Sequence, residues 1–123
     1  MNYSIIKGYR KNIKSMQDKI FKKFIECDNT NNSYLPSEIY FQLNYINECI
    51  KSDRKSYIQD IKYNIHSVNY DCRRLAEVFY NTKYSKMIQS IINDLSIIEN
   101  YISNTTEYKN YLNNINDDLI IPF

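Results

Sequence analysis

The sequence predicts an all-α protein, an antiparallel up-down bundle of four to five helices. Three observations carry that expectation. Apolar residues recur three and four positions apart along most of the chain, which places them on one face of a helix. The chain holds 1 Gly and 2 Pro, whereas many β folds lean on Gly-rich turns. The polar clusters between the apolar rows are short, and short connections make successive helices antiparallel neighbours. With 123 residues, the chain fits one domain, residues 1–123, able to bury a core without disulfides or metals.

The first helix is expected from about Tyr3 to Cys27, on the row Ile6, Tyr9, Ile13, Met16, Ile20, Phe24 and Cys27. Residues 28–33 then form a polar, turn-forming segment. A second helix starts near Ser37, because Pro36 lacks an N–H that would be unpaired there anyway. Its row is Ile39, Leu43, Ile46 and Ile50. Ser52 and Asp53 suit a helix cap, and the row shifts phase by one position between Ile50 and Ile58, so a turn or kink is expected there.

The third helix, roughly residues 54 to 80, is the best marked. Ile58, Ile61, Ile65, Val68, Cys72, Leu75 and Phe79 keep a strict three-four alternation, a narrow seam of coiled-coil type. Asn81 and Thr82 supply a stop and a new cap. A fourth helix runs from about Lys83 to Ser103 on Tyr84, Ile88, Ile91, Leu95, Ile98 and Ile102, widened by Ile92 and Tyr101. Asn104, Thr105 and Thr106 interrupt it. A shorter fifth helix uses Tyr108, Leu112, Ile115 and Leu119, and the apolar tail Ile120-Ile121-Pro122-Phe123 is expected to fold back on the bundle.

Composition narrows the function classes. The 13 Tyr, the abundance of Asn, Ile and Lys, and the single alanine Ala76 match codons rich in A and T. That usage points to a virus, a phage, a parasite or a low-GC bacterium as the source. The net charge of +2 does not by itself imply a nucleic-acid partner. Cys27, Cys49 and Cys72 form no CxxC pair, so no structural zinc site is expected. Three reduced cysteines on apolar faces suggest an intracellular, cytoplasmic setting, with a host's cytoplasm as one option. The early apolar positions are interrupted by Lys7, Arg10 and Lys11, so no signal peptide is read, and no stretch is long and apolar enough to span a membrane. No cofactor, metal or catalytic device is expected. His66 is the lone histidine, beside the seam residue Ile65, with nothing local that marks it as a base. Glu107, Asp117 and Asp118 read as capping and solvation rather than as a two-carboxylate site.

Three features could bind a partner. On the first helix Lys7, Arg10, Lys11 and Lys14 share a face, and Lys19, Lys22 and Lys23 follow, opposed by Asp18 and Glu26. Such a stripe can neutralise phosphates or meet an anionic membrane surface; the alternative is an ordinary solvated face. Tyr34, Tyr40, Tyr45, Tyr57, Tyr63, Tyr70 and Tyr80 fall off the seams. Exposed tyrosine is rigid, amphipathic and enriched in binding hot spots; partial burial at the seam edges is the other reading.

The third feature is the stretch of residues 68–79. Val68, Cys72, Leu75 and Phe79 stand at four anchor positions, Ala76 is a small residue after the third, and Glu77 an acid. This resembles the death-motif helix of pro-apoptotic ligands in the Bcl family, over twelve residues. The resemblance implies anchors that fill a partner's groove and an acid that pairs with a partner's arginine. It departs at Cys72, where the family prefers leucine, and at Ala76-Glu77, where Gly-Asp is typical. The same four anchors form the seam of the third helix, and a core and a groove cannot hold them together.

The leading expectation is a non-catalytic protein-interaction module, encoded by a virus, phage or mobile element, that binds a host factor and blocks it. The alternatives are a nucleic-acid-binding accessory protein using Lys7, Arg10, Lys11, Lys14, Lys22 and Lys23, and a self-assembling structural helical protein, a homo-oligomer.

Overall fold

The structure, a computed structural model, describes the backbone of residues 3–25, 34–52 and 58–119. Among the described residues it is an all-α bundle of five helices: α1 (Tyr3–Ile20), continued by a π-helical turn (Phe21–Ile25), α2 (Tyr34–Lys51), α3 (Ile58–Val78), α4 (Ser85–Ser103) and α5 (Thr106–Leu119). The expectations for Glu26, Cys27 and the loop 28–33, for Asp53, Tyr57 and the start of the third helix at residue 54, for the side chains of Glu107, Ile115, Asp117, Asp118 and Leu119, and for the tail 120–123 lie outside the described residues.

The apolar rows find each other in the interior. Ile6, Ile13, Met16, Ile20 and Phe24 meet Ile39, Leu43, Ile46 and Ile50, then Ile61, Ile65, Val68, Cys72 and Leu75, then Ile88, Ile91, Leu95, Ile98 and Ile102. Each fully buried aliphatic side chain contributes about 1.5–3 kcal/mol. Helices pair in chain order, α1 on α2, α2 on α3 and α3 on α4. Polar contacts show the antiparallel sense. Asn47 late in α2 donates to the carbonyl of Arg10 early in α1, at 3.3 Å. Arg74 late in α3 reaches Tyr34 at the start of α2. Lys62 early in α3 donates to Glu99 late in α4, at 3.4 Å. Tyr9 and Tyr101 stack edge-on at 5.9 Å and bring α1 to α4.

One end of the bundle is tied by an aromatic knot. Phe24 from the π turn lies 4.9 Å from Phe79 and 5.0 Å from Tyr84, and Phe79 lies 5.6 Å from Tyr84. Successive four-residue steps such as Met16, Ile20 and Phe24 drift by about 40° each around a strict α-helix. The wider π turn takes up that drift and keeps Phe24 inside.

Several boundaries differ from the expectation. Helix α2 begins at Tyr34 rather than Ser37. Pro36 is its third residue, still among the first four donors that have no intrahelical acceptor, and buried Leu35 draws that turn into the bundle. Helix α3 ends at Val78 rather than at residue 80. Phe79 keeps one helical bond, to Leu75 at 3.0 Å, and Asn81 then adopts φ 62°, the left-handed conformation that ends a helix. Helix α4 starts at Ser85 rather than Lys83, with Thr82 accepting from the Tyr84 N–H at 3.3 Å. Ser52 closes α2 instead of opening a helix, since its hydroxyl donates back to Cys49 at 2.8 Å. Buried Thr105 divides α4 from α5: its hydroxyl donates to Ile102 at 2.7 Å and accepts from the Tyr108 N–H at 3.3 Å. Leu112, expected on the buried stripe of the fifth helix, is exposed.

Candidate functional site

Helix α2 is a shared wall between two unlike grooves. Its core row faces inward, and residues one position off that row border α1 on one flank and α3 on the other.

The groove between α1 and α2 is lined by Lys7, Arg10, Lys11, Lys14, Ser15, Asp18 and Asn47, with a volume of about 560 Å³. The first-helix cations stand three and four residues apart, one above another. The one lining carboxylate, Asp18, is held by Lys14 at 3.3 Å. Asn47 is 9% exposed, and its bond to the Arg10 carbonyl fixes which end of the amide is the donor. Asn47 Oδ1 and Arg10 Nε are both covered and have no hydrogen-bond partner. Each such group costs about 1–3 kcal/mol. Lys22 and Lys23 are exposed on the π turn and do not line this groove. The basic face expected as one stripe is therefore split, because the π turn changes the helical phase.

The groove between α2 and α3 has the opposite character. Glu38, Phe41, Gln42, Tyr45, Asp60, Tyr63 and Asn64 line about 540 Å³. Phe41 is 67% exposed and Tyr63 73%. The lining contains two carboxylates and no cation. Gln42 Oε1 is covered and lacks a hydrogen-bond donor, and the Asn64 amide donates to its own helix at Asp60, 2.7 Å.

Tyr63 also borders a third surface, where α5 crosses the start of α3 with Gln59, Lys62, His66, Tyr108, Tyr111 and Leu112. There Glu99 from α4 accepts from Lys62 at 3.4 Å and meets His66 Nδ1 at 2.9 Å, while Lys62 stands 5.6 Å over the Tyr108 ring. His66 is exposed, as expected; its carboxylate partner is thirty-three residues away and invisible to local spacing.

The seven tyrosines separate. Tyr45 and Tyr63 share the α2–α3 groove. Exposed Tyr34 accepts from Arg74 Nη2 at 3.3 Å, a bond that raises the guanidinium further above its ordinary range. Tyr70 is exposed beside His66 and Arg73. Tyr80 is exposed in the α3–α4 turn and lines none of the three grooves. Tyr40 is a correction: it is half-buried, packed 5.9 Å from Phe21 and 5.6 Å from Phe41. The Bcl-like anchors Val68, Cys72 and Leu75 are buried, and Phe79 belongs to the aromatic knot, so none is presented to a partner's groove. Burial and neighbouring Asp71 push the Cys72 thiol up to about 12, and burial raises that of Cys49. Phe41, Glu38, Asp60 and Asn47 were missed in the sequence. Phe41 stands two residues from Ile39, on the far side of the helix, which is the signal that marks it.

Among the described residues no helix is long and apolar enough to cross a membrane, and no group of His, Cys, Asp or Glu is arranged to hold a metal ion. No protein-family model, no curated protein and no solved structure matches the chain.

Proposed function

We propose that the protein is a non-catalytic interaction module whose α2–α3 groove docks a protein partner through basic side chains. The observation that carries this reading is Phe41, two-thirds exposed between Tyr45 and Tyr63 and flanked by Glu38 and Asp60. Single exposed apolar residues are ordinary. Three aromatic rings and two carboxylates lining one groove make a surface suited to lysine or arginine, by cation–π attraction to the rings and charge pairing at the rim. The covered Gln42 oxygen adds an acceptor without a donor. Composition supports the narrower reading of a viral, phage or mobile-element product that occludes a host factor, and the buried free thiols Cys49 and Cys72 suit action inside a cell.

Capture from a cell extract tests this, comparing the chain with a Phe41→Ala/Tyr63→Ala variant and identifying proteins by mass spectrometry. A protein retained by the first and lost with the second, at unchanged melting temperature, is the expected result. Recovery of nucleic acid only, of the chain itself only, or of the same proteins by both forms would count against it.

A further inference from the structure

The α1–α2 groove plays no part in that docking surface. We propose that it is a binding site for a compact phosphate ester that carries a hydroxyl group. Arg10 and Lys11 take the phosphate, Lys14 and Ser15 border it, and Asn47 accepts from the hydroxyl.

The placement of charge is the first argument. Lys7, Arg10, Lys11 and Lys14 occupy about 10 Å of helix at ~1.5 Å per residue, the scale of one or two phosphates rather than a long polynucleotide track. The only opposing carboxylate of the lining is already engaged by Lys14. A volume of about 560 Å³ is that of a small-molecule cleft.

The unpaired atoms are the second argument. Arg10 Nε is a covered donor without an acceptor, and Asn47 Oδ1 a covered acceptor without a donor. A guanidinium is built for forked bonding to phosphate oxygens. An anion bound at Arg10 gives its Nε an acceptor, and Asn47 lines the same groove. The amide is held in place by its bond to the Arg10 carbonyl, so it offers that oxygen to an O–H. A phosphate ester with a nearby hydroxyl, as in a sugar phosphate or nucleotide, supplies both missing partners; a bare anion supplies one.

Titration calorimetry of the full chain at low salt tests the site, with ribose 5-phosphate, inorganic phosphate, a single-stranded oligonucleotide and anionic phosphatidylglycerol vesicles as probes. Ribose 5-phosphate is expected to bind more tightly than inorganic phosphate. Arg10→Met and Lys11→Gln should each weaken it about tenfold, a loss typical of one charge-assisted contact. Asn47→Leu should bring the sugar phosphate down to the level of inorganic phosphate without lowering the melting temperature. Lys22→Gln/Lys23→Gln should change nothing. The proposal is overturned if neither soluble phosphate binds, whatever the oligonucleotide or vesicles do. It is also overturned if the Lys22/Lys23 variant loses as much affinity as Arg10→Met, since the charge would then act from the surface at large.

Discussion

The two flanks of α2 differ in almost every respect that matters for recognition. Toward α1 the wall meets lysines and an arginine, with one buried amide between them. Toward α3 it meets aromatic rings and two carboxylates. One helix thus separates two surfaces of opposite sign, while Ile39, Leu43, Ile46 and Ile50 hold it in the same interior. A bundle of this kind specifies its core by repeating one residue type and its surfaces by what stands one position off the row. The bland part of the sequence builds the frame, and the irregular part distinguishes the two sides.

The strongest way to break this comparison is to remove the common wall. Leu43→Ala should cost about 2–5 kcal/mol by loss of buried area and the cavity left behind, measured by urea unfolding, and both grooves should lose their ligands together. Alkaline pH probes the same interior through a buried thiol. A thiol raised in the folded state stabilises the fold fully below its unfolded value of 9.0 and loses that contribution as pH rises toward about 12. Over that window the folded chain binds the extra proton, so stability falls with rising pH. The Cys72→Val variant should show a shallower fall in melting temperature between those limits.

Next in size, Phe41→Ala should weaken the protein partner by about 1–2 kcal/mol and leave the phosphate probes unaffected. Salt sharpens the contrast further. Raising it about tenfold should reduce ribose 5-phosphate binding by about tenfold, since the charges there face solvent, with a smaller change for a partner held largely by aromatic rings. The smallest effect is expected for Tyr34→Phe, which removes the exposed bond to Arg74 and should shift stability by less than about 0.5 kcal/mol.

Most of the frame was legible in the chain because periodicity is a local property. Ile61, Ile65, Val68, Cys72 and Leu75 are buried where their spacing places them. Boundaries were less legible. Thr105 acts as a cap, as its side chain allows, whereas Thr82 braces the turn before α4 without capping it, and Pro36 could sit at the first or third helical position with equal comfort. The candidate sites were half legible. The run from Lys7 to Lys14 shares a face by spacing alone, whereas Asn47 reaches it across thirty-seven residues. Tyr40 and Tyr45 look alike in the sequence. What separates them is Phe21, which arrives from the π turn to cover one ring and not the other; the register between neighbouring helices is not written in either helix.

Asn81 carries a different lesson. A left-handed residue at the end of a helix is ordinarily a glycine, because any β-carbon is crowded there. This chain has 1 Gly, so the position falls to asparagine, the residue best able to tolerate that geometry among those its composition favours. The compositional bias of the chain is thereby recorded in a backbone angle. The bias narrows which punctuation marks the polypeptide has at its disposal, and the reversal between α3 and α4 is spelled with the one that remains.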